Sequence, residues 1–257
     1  MIKRIFIKCS NIMNPIEVID KSWQPIISLL YEEPLKTLRE KVLSERSYQP
    51  QRMDIFRVFE MPVDKIKVII LGQEPYPTPG DSVGLSFATN RDRKLPTSLR
   101  IIQKEIIDST AETTVELNKD NTDWKTLDHW RKQGVFLLNT ALTVETGRAG
   151  SHLKYWEDFT KRVVSFISVK NPCLWLLWGA KAQKFTPYIK SCPFLVKGYN
   201  QTTIQNIPTN NKYNYILTAP HPAAEAYMRD SVGFYGSNHF VFVNNILKKL
   251  KIKIINW

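Results

Sequence analysis

The sequence predicts a single-domain α/β protein, a three-layer α/β/α sandwich around a central four-stranded parallel sheet. Three observations carry this prediction. Four short apolar runs each end at a turn, and helical hydrophobic spacing lies between successive runs. No internal repeat and no Gly/Ser-rich or Pro-rich linker divides the 257 residues. We therefore predict one domain over residues 17–257, preceded by an N-terminal extension over residues 1–16.

The predicted elements alternate along the chain. Residues 17–60 carry apolar side chains at helical spacing, which predicts helices that pack over the sheet. The predicted strands are almost wholly apolar, as parallel strands buried on both faces are; they cover residues 68–71, 135–138, 174–178 and 215–218. Further helices are predicted at residues 98–107, 152–167, 182–189 and 239–250. Strands that alternate with helices in this way favour a parallel sheet with helices on both sides.

Polar turns follow all four predicted strands. Glu74, Asn139, Gly179 and His221 each stand within a few residues of the end of a different strand. Because ligands of parallel sheets bind beyond the carboxyl ends of the strands, we expect these four residues to lie on one rim. Each residue alone is explained as well by a structural turn. Four such turns at four consecutive strand ends favour a functional site.

The charge of the chain indicates a polyanionic partner. Its 36 Lys and Arg residues outnumber 24 Asp and Glu residues, which gives a formal net charge of +12. Such an excess favours nucleic acid or an acidic membrane surface, and charge alone does not choose between them.

Cysteine content and hydropathy suggest where the protein works. Cys9, Cys173 and Cys192 are odd in number and lack metal-like spacing, which argues against a disulfide framework and favours a reducing compartment. No apolar run approaches the ~20 residues that cross a bilayer. We expect a protein that is neither secreted nor membrane-bound, in a bacterial cytoplasm or in the DNA-replication compartment of a virus host.

Five segments of the sequence carry a family resemblance. In chain order they are residues 71–77 (LGQEPYP) with 84–87 (GLSF), 95–99 (LPTSL), 130–144 (WRKQGVFLLNTALTV), 177–180 (LWGA) and 219–222 (APHP). They resemble the water-activating and uracil-stacking segments, the proline-rich loop, the uracil-reading strand, the Gly-Ser loop and the catalytic histidine segment of family 1 uracil-DNA glycosylases. The match runs in order from about residue 23 to residue 250. The sequence is therefore identified as a divergent member of that family.

The resemblance implies a pocket that reads an extruded uracil base. Phe87 would stack on the base, and the Asn139 amide would donate to O4 and accept from N3–H, a pattern that cytosine does not match. Tyr76 would occupy the space of the thymine methyl group. The Gln73 backbone N–H would donate to O2.

The resemblance also implies the catalytic pair. Glu74 would orient or deprotonate the attacking water and stabilise the cationic sugar, while His221 would donate a hydrogen bond to the uracil O2. No lysine nucleophile, metal or cofactor is expected.

Two loops are expected to hold the DNA backbone. Pro96, Thr97 and Ser98 stand at a predicted helix start, and Gly179 and Ala180 form the second loop. Backbone N–H groups and a hydroxyl at such positions suit phosphates.

The sequence departs from the family around the carboxylate and in the second phosphate loop. Glu74 stands where the family usually has Asp, Pro77 where it has His, and Ala180 where it has Ser. An extra methylene moves the carboxylate, and a displacement of ~1 Å can cost about a hundredfold in rate.

The loop after His221 departs further. Ala223 replaces a phosphate-binding serine, and Glu225 stands roughly where the family has a leucine that wedges into the base stack. Because a carboxylate is a poor wedge between anionic strands, Tyr227 or Met228 is predicted to take that role.

These residues predict a monofunctional glycosylase that hydrolyses the N-glycosidic bond of deoxyuridine in DNA and leaves an abasic site for base-excision repair. The expected partners are single- and double-stranded DNA that contains uracil, and a DNA-mimicking inhibitor protein; the chain is expected to be a monomer. The departures leave an alternative, a catalytically weakened DNA-binding or processivity subunit with the glycosylase fold. A glycosylase for another damaged base is disfavoured by Tyr76 and Asn139.

Overall fold

The structure is a computed structural model. It describes residues 18–32, 36, 40, 44, 47–92, 94–110, 124–192, 194–197, 212–227 and 233–257. The predicted N-terminal extension lies outside these residues. Within them, no helix has both the length and the hydropathy needed to cross a membrane.

A five-stranded parallel sheet forms the centre of the domain. Seven strands lie in the described part of the chain: β1 (Tyr48–Gln49), β2 (Val68–Gly72), β3 (Val135–Asn139), β4 (Val144–Glu145), β5 (Leu174–Trp178), β6 (Phe194–Lys197) and β7 (Tyr215–Ala219). The sheet order is β3-β2-β5-β7-β6, and β1 pairs with β4 in a separate antiparallel ribbon. The four predicted parallel strands are thus confirmed, and β6 adds a fifth at the edge beyond β7.

The strand register brings the carboxyl ends of the sheet together. Gly72 pairs with Asn139 across β2 and β3, and Trp178 pairs with Ala219 across β5 and β7. Leu71 pairs with Leu177 and so aligns β2 with β5. The polar turns that follow these strands therefore begin at the same rim of the sheet.

Helices cover the sheet in two groups, as the three-layer prediction requires. They are α1 (Gln24–Ile27), α2 (Thr97–Thr110), α3 (Asp128–Lys132), α4 (Leu153–Lys170), α5 (Gly179–Gln183) and α6 (His239–Lys249). Helix α2 packs against α6, and α1 packs against α4. Short 3₁₀ helices cover Lys21–Trp23, Ser28–Tyr31, Arg52–Asp54, Arg57–Glu60, Val63–Lys65, Thr186–Tyr188 and Pro222–Tyr227.

The predicted helix at residues 182–189 was wrong in its bounds. Helix α5 begins earlier, at Gly179, and ends at Gln183, and a 3₁₀ turn follows at Thr186–Tyr188. Pro187 lies inside the predicted helix, and its ring and missing N–H disfavour a continuous α-helix there.

Aromatic side chains fill the core. Trp23 stacks on Phe136 of β3 with ring centroids 5.3 Å apart. Phe240 of α6 lies 6.0 Å from Trp178 of β5 and 5.0 Å from Trp257 near the C-terminus. All five rings are buried, and full burial of a large apolar side chain stabilises a fold by about 1.5–3 kcal/mol. The carboxyl ends of the strands are therefore held in place by a densely packed hydrophobic core.

Candidate active site

Asn139 lies at the end of β3 against a glycine of the neighbouring strand. Its side chain is buried, and its Oδ1 atom has no hydrogen-bond partner among the described residues. A Cβ atom at Gly72 would stand only 2.5 Å from that Oδ1 and 2.6 Å from the Cβ of Ser86. A buried unpaired acceptor is costly, which indicates that the amide is placed to meet a ligand.

Tyr76 and Phe87 are joined by a hydrogen bond. The Tyr76 hydroxyl donates to the Phe87 carbonyl at 3.2 Å, and burial raises the pKa of Tyr76 well above its ordinary value. Phe87 is buried in the left-handed backbone region with φ of 64°, which non-glycine residues rarely adopt. Its ring centroid lies 5.5 Å from that of Trp178 and 6.0 Å from that of His221. The Phe87 ring is thus held against Trp178 and His221 at the carboxyl rim of the sheet.

The turn after β2 is held by hydrogen bonds to the turn after β3. The Gln73 carbonyl accepts hydrogen bonds from the Thr140 hydroxyl at 2.7 Å and from the Ala141 N–H at 2.9 Å. The Thr140 N–H also donates to the Gly72 carbonyl at 2.9 Å. The peptide groups of the two turns therefore hold each other in one geometry.

The Glu74 carboxylate is fixed by two donors. The Gly150 N–H donates to both of its oxygens, at 2.9 Å and 2.7 Å, and the Gln73 side-chain amide donates to Oε1 at 2.9 Å. Gly150 has φ of 82° and leads into α4. A carboxylate has about four acceptor positions, so these contacts still leave room for a water molecule.

His221 is held in a defined tautomer. Its Nδ1 accepts the Ala223 N–H at 3.1 Å, so the neutral ring carries its proton on Nε2. Burial, and secondarily the charge of Lys181, lowers the pKa of His221 and favours this neutral form. Gly179 permits the close packing, because a Cβ there would lie 2.8 Å from the His221 Cβ and its φ is 84°. The ring is therefore a hydrogen-bond donor at the carboxyl rim of the sheet.

Comparison with known proteins shows the family of this chain. The family model described as "Uracil DNA glycosylase superfamily" matches residues 59–250. The chain belongs to the uracil DNA glycosylase superfamily. It is 37% identical to a uracil-DNA glycosylase of Aliarcobacter butzleri over 92% of this chain and 100% of the relative, and 38% identical to that of Oceanobacillus iheyensis over 87% and 86%.

Solved structures of uracil-DNA glycosylases have the same fold as this chain. The crystal structure of mimivirus uracil-DNA glycosylase covers 95% of this chain and 89% of its own, with a TM-score of 0.74 at 23% identity. The enzyme from Nitratifractor salsuginis covers 91% and 94%, with a TM-score of 0.58 at 18% identity. The predicted family and the three-layer α/β fold are confirmed.

The predicted phosphate contacts lie at two helix starts. Helix α2 begins at Thr97, which is exposed, with Ser98 half-buried. Pro96 is buried and has no N–H, so it shapes the helix start and cannot donate to a phosphate. Gly179 and the exposed Ala180 begin α5, where no side chain caps the helix. Donors for anions are thus present at both starts.

The loop after His221 binds its Glu225 carboxylate internally. Its Oε2 accepts the N–H groups of Phe234 and, at 3.3 Å, Tyr235, so the carboxylate is turned toward the protein. The Ala223 N–H is taken by His221. Tyr227 is 86% exposed, whereas Met228 lies outside the described residues. Tyr227 is therefore the described residue of this loop that is available to contact DNA.

Two contributors to the site, Gly150 and Thr140, were not predicted. Gly150 is 76 positions from Glu74, and no local pattern links the two. Thr140 directly follows Asn139 in the segment at residues 130–144, so the resemblance pointed to its neighbourhood without assigning its contact to Gln73. Both act on the side chains or backbone of predicted residues, which explains why motif chemistry alone did not find them.

Proposed function

We propose that this chain hydrolyses the N-glycosidic bond of deoxyuridine in DNA, releases uracil and leaves an abasic site, with Glu74 and His221 as its catalytic pair. The observation that carries the proposal is the unpaired, buried Asn139 Oδ1 against Gly72, on the same rim as both groups. That acceptor suits the N3–H of uracil. Cytosine, which has an acceptor at N3, leaves it unpaired.

Recognition requires the base to leave the duplex. The Asn139 Oδ1 accepts N3–H and its amide nitrogen donates to O4, while Phe87 offers a ring face for stacking. Tyr76 rejects thymine by steric overlap with its 5-methyl group. Its hydrogen bond to the Phe87 carbonyl supports this role, because it keeps the ring from moving aside.

Bond cleavage places positive charge on the sugar and negative charge on uracil. As the C1′–N1 bond breaks, its electron pair moves into the uracil ring, and the His221 Nε2–H and the Gln73 N–H donate to O2. A water molecule held by Glu74 forms the new bond to C1′, and its proton passes to the Glu74 carboxylate. The neutral tautomer of His221 suits a donor that acts without first taking up a proton.

The contacts of Glu74 favour an active enzyme despite the longer side chain. The Gly150 N–H and the Gln73 amide draw the carboxylate into one orientation, which offsets the freedom of the added methylene. We infer that the turn at Gly150 is fitted to glutamate. A shorter aspartate would lie farther from that N–H.

Binding of DNA uses the two helix starts and the exposed aromatic side chain. Thr97, Ser98, Gly179 and Ala180 contact phosphates on either side of the extruded nucleotide. Tyr227 enters the space that the base vacates, because an aromatic wedge stabilises an unstacked step. Its 86% exposure supports this role. Met228 remains a second candidate from the sequence.

The test is release of uracil from matched oligonucleotides. Wild-type protein is incubated with single- and double-stranded DNA that carries one uracil or one thymine, and free base and alkali-labile sites are measured. We expect product from both uracil substrates and none from thymine. Binding of uracil and thymine DNA with equal affinity and no product would instead support the DNA-binding subunit.

An inhibitor protein that imitates DNA is a further expected partner. A mimivirus uracil-DNA glycosylase variant has been solved in complex with UGI at a TM-score of 0.74 to this chain. We propose that such a protein competes for the rim that carries Tyr227. Titration of UGI into the release assay measures this directly.

A further inference from the structure

Glu225 connects residues 222–227 with residues 233–235. It lies in the short 3₁₀ helix Pro222–Tyr227, which follows His221 and ends at the exposed tyrosine. Its Oε2 accepts the N–H groups of Phe234 and Tyr235. A Cβ at Gly233 would overlap this carboxylate, so the approach is close. One side chain thus joins the chain before residues 228–232 to the chain after them.

Residues 234 and 235, whose N–H groups bind Glu225, lie in a segment that is itself firmly held. Phe234 is fully buried and lies 4.9 Å from the Trp178 ring. A second carboxylate, the buried Glu105 of α2, accepts the Gly236 N–H and the Asn238 N–H, both at 2.8 Å. Four backbone N–H groups of residues 234–238 are therefore bound by two glutamates. This gives Glu225 a rigid partner.

The two ends of the short helix are held differently. At the first end, His221 is placed by contacts of its own: the Ala223 N–H on its ring, the Ala224 N–H on its carbonyl at 2.8 Å, and close packing against Gly179. At the other end, Tyr227 is 86% exposed and makes no hydrogen bond or ring contact with another described residue. Glu225, two positions earlier, carries the nearest polar contact that links this end to the body of the protein. The short helix also packs against α2. Loss of Glu225 would therefore remove the polar contact that orients this end of the helix and leave the contacts of His221 in place.

We propose that Glu225 is a positioning residue for base extrusion. It holds the end of the short helix so that Tyr227 is presented to duplex DNA. The inference rests on the proposed function. It also explains how a carboxylate is accommodated where DNA approaches, because two N–H dipoles directed at its oxygen offset its charge. An unbound carboxylate there would repel phosphates.

The test compares uracil release from duplex and from single-stranded substrate. Only in the duplex does extrusion of the base leave a gap in the base stack, which a wedge residue stabilises. Single-turnover uracil release is measured for Glu225→Ala, Glu225→Gln and Tyr227→Ala, and thermal unfolding is followed for each variant. We expect Glu225→Ala to lose about tenfold on duplex and less than about threefold on single strands. Glu225→Gln keeps an acceptor oxygen and should recover most of the duplex rate. Glu157→Gln, a half-exposed helix residue paired with Lys161 at 2.7 Å, is the matched control.

A double substitution decides whether Glu225 acts through Tyr227. In a Tyr227→Ala background, Glu225→Ala should reduce the duplex rate by no more than about twofold further. Independent, multiplying losses would overturn the proposal, as would equal losses on both substrates together with a lower melting temperature. Unchanged rates in Glu225→Ala would overturn it as well.

A binding measurement keeps this test apart from the test of the glycosylase reaction. Duplex and single-stranded oligonucleotides with a 2′-fluoro-deoxyuridine, whose glycosidic bond resists cleavage, are titrated with each variant. Glu225→Ala should weaken duplex binding selectively. If the wild-type protein releases no uracil, the proposed function fails, whereas equal weakening or no weakening on both oligonucleotides rejects the role of Glu225.

Discussion

The base pocket and the loop after His221 are built by different means. Asn139 and Gly72 belong to paired strands of the buried sheet, and Tyr76 and Phe87 are joined to each other by a hydrogen bond. The loop instead depends on side chains that reach across the chain, such as Glu225 to Phe234. Strand ends are positioned by the whole core, whereas the loop is positioned by the packing of its short helix on α2 and by side-chain contacts such as that of Glu225. We therefore expect substitutions in the pocket to cost more activity than substitutions in the loop.

The largest expected effect tests the pocket. Asn139→Asp replaces an amide donor by a carboxylate, which repels O4, and we expect a loss of about 10³-fold or more in kcat/KM on uracil DNA. The measurement is steady-state uracil release, with affinity for thymine DNA as the control for intact phosphate contacts. A loss smaller than tenfold would mean that the pocket reads uracil by shape alone.

The next effect tests the carboxylate at the edge of the pocket. Glu74→Gln keeps one oxygen that can accept the Gly150 N–H and removes the base that takes up the proton of water. We expect kcat to fall by about 10²–10³-fold with little change in affinity for uncleaved substrate. Glu74→Asp should also be slower than wild type, by about tenfold, because it draws the carboxylate away from Gly150. A faster Glu74→Asp enzyme would contradict the fit between Glu74 and that turn.

A smaller, substrate-dependent effect is expected in the loop. Tyr227→Ala removes the exposed ring and should slow release from duplex DNA by about tenfold while leaving single-stranded DNA within about threefold. Tyr227→Leu should restore much of the duplex rate if apolar volume is what matters. Equal losses on both substrates would place Tyr227 in general DNA binding.

The same contrast accounts for what could be predicted from the sequence. The four central strands and the residues at their ends were predictable because buried parallel strands have apolar runs with abrupt polar ends, as at residues 135–139. The partner of Glu74 was not, since Gly150 lies in a distant turn and contributes only a backbone N–H. The hydrogen bonds of Glu225 were not predictable for the same reason, because its partners are peptide N–H groups. Contacts between residues so far apart in the sequence form only when the chain is folded.

The smallest expected effect concerns the electrostatic environment of His221, where the two regions meet. Burial is the main cause of its lowered pKa, and Lys181 contributes further. The neutral ring, which can accept the Ala223 N–H, is present above that pKa, so activity should fall on acidification with a midpoint below the ordinary histidine value. Lys181→Gln removes a charge that opposes protonation. It should raise the midpoint by roughly a few tenths of a pH unit, less at high salt because Lys181 is exposed. Lys184→Gln, an exposed charge a few positions along, is the control, and a midpoint that moves downward or matches this control would exclude Lys181 as a determinant of the donor.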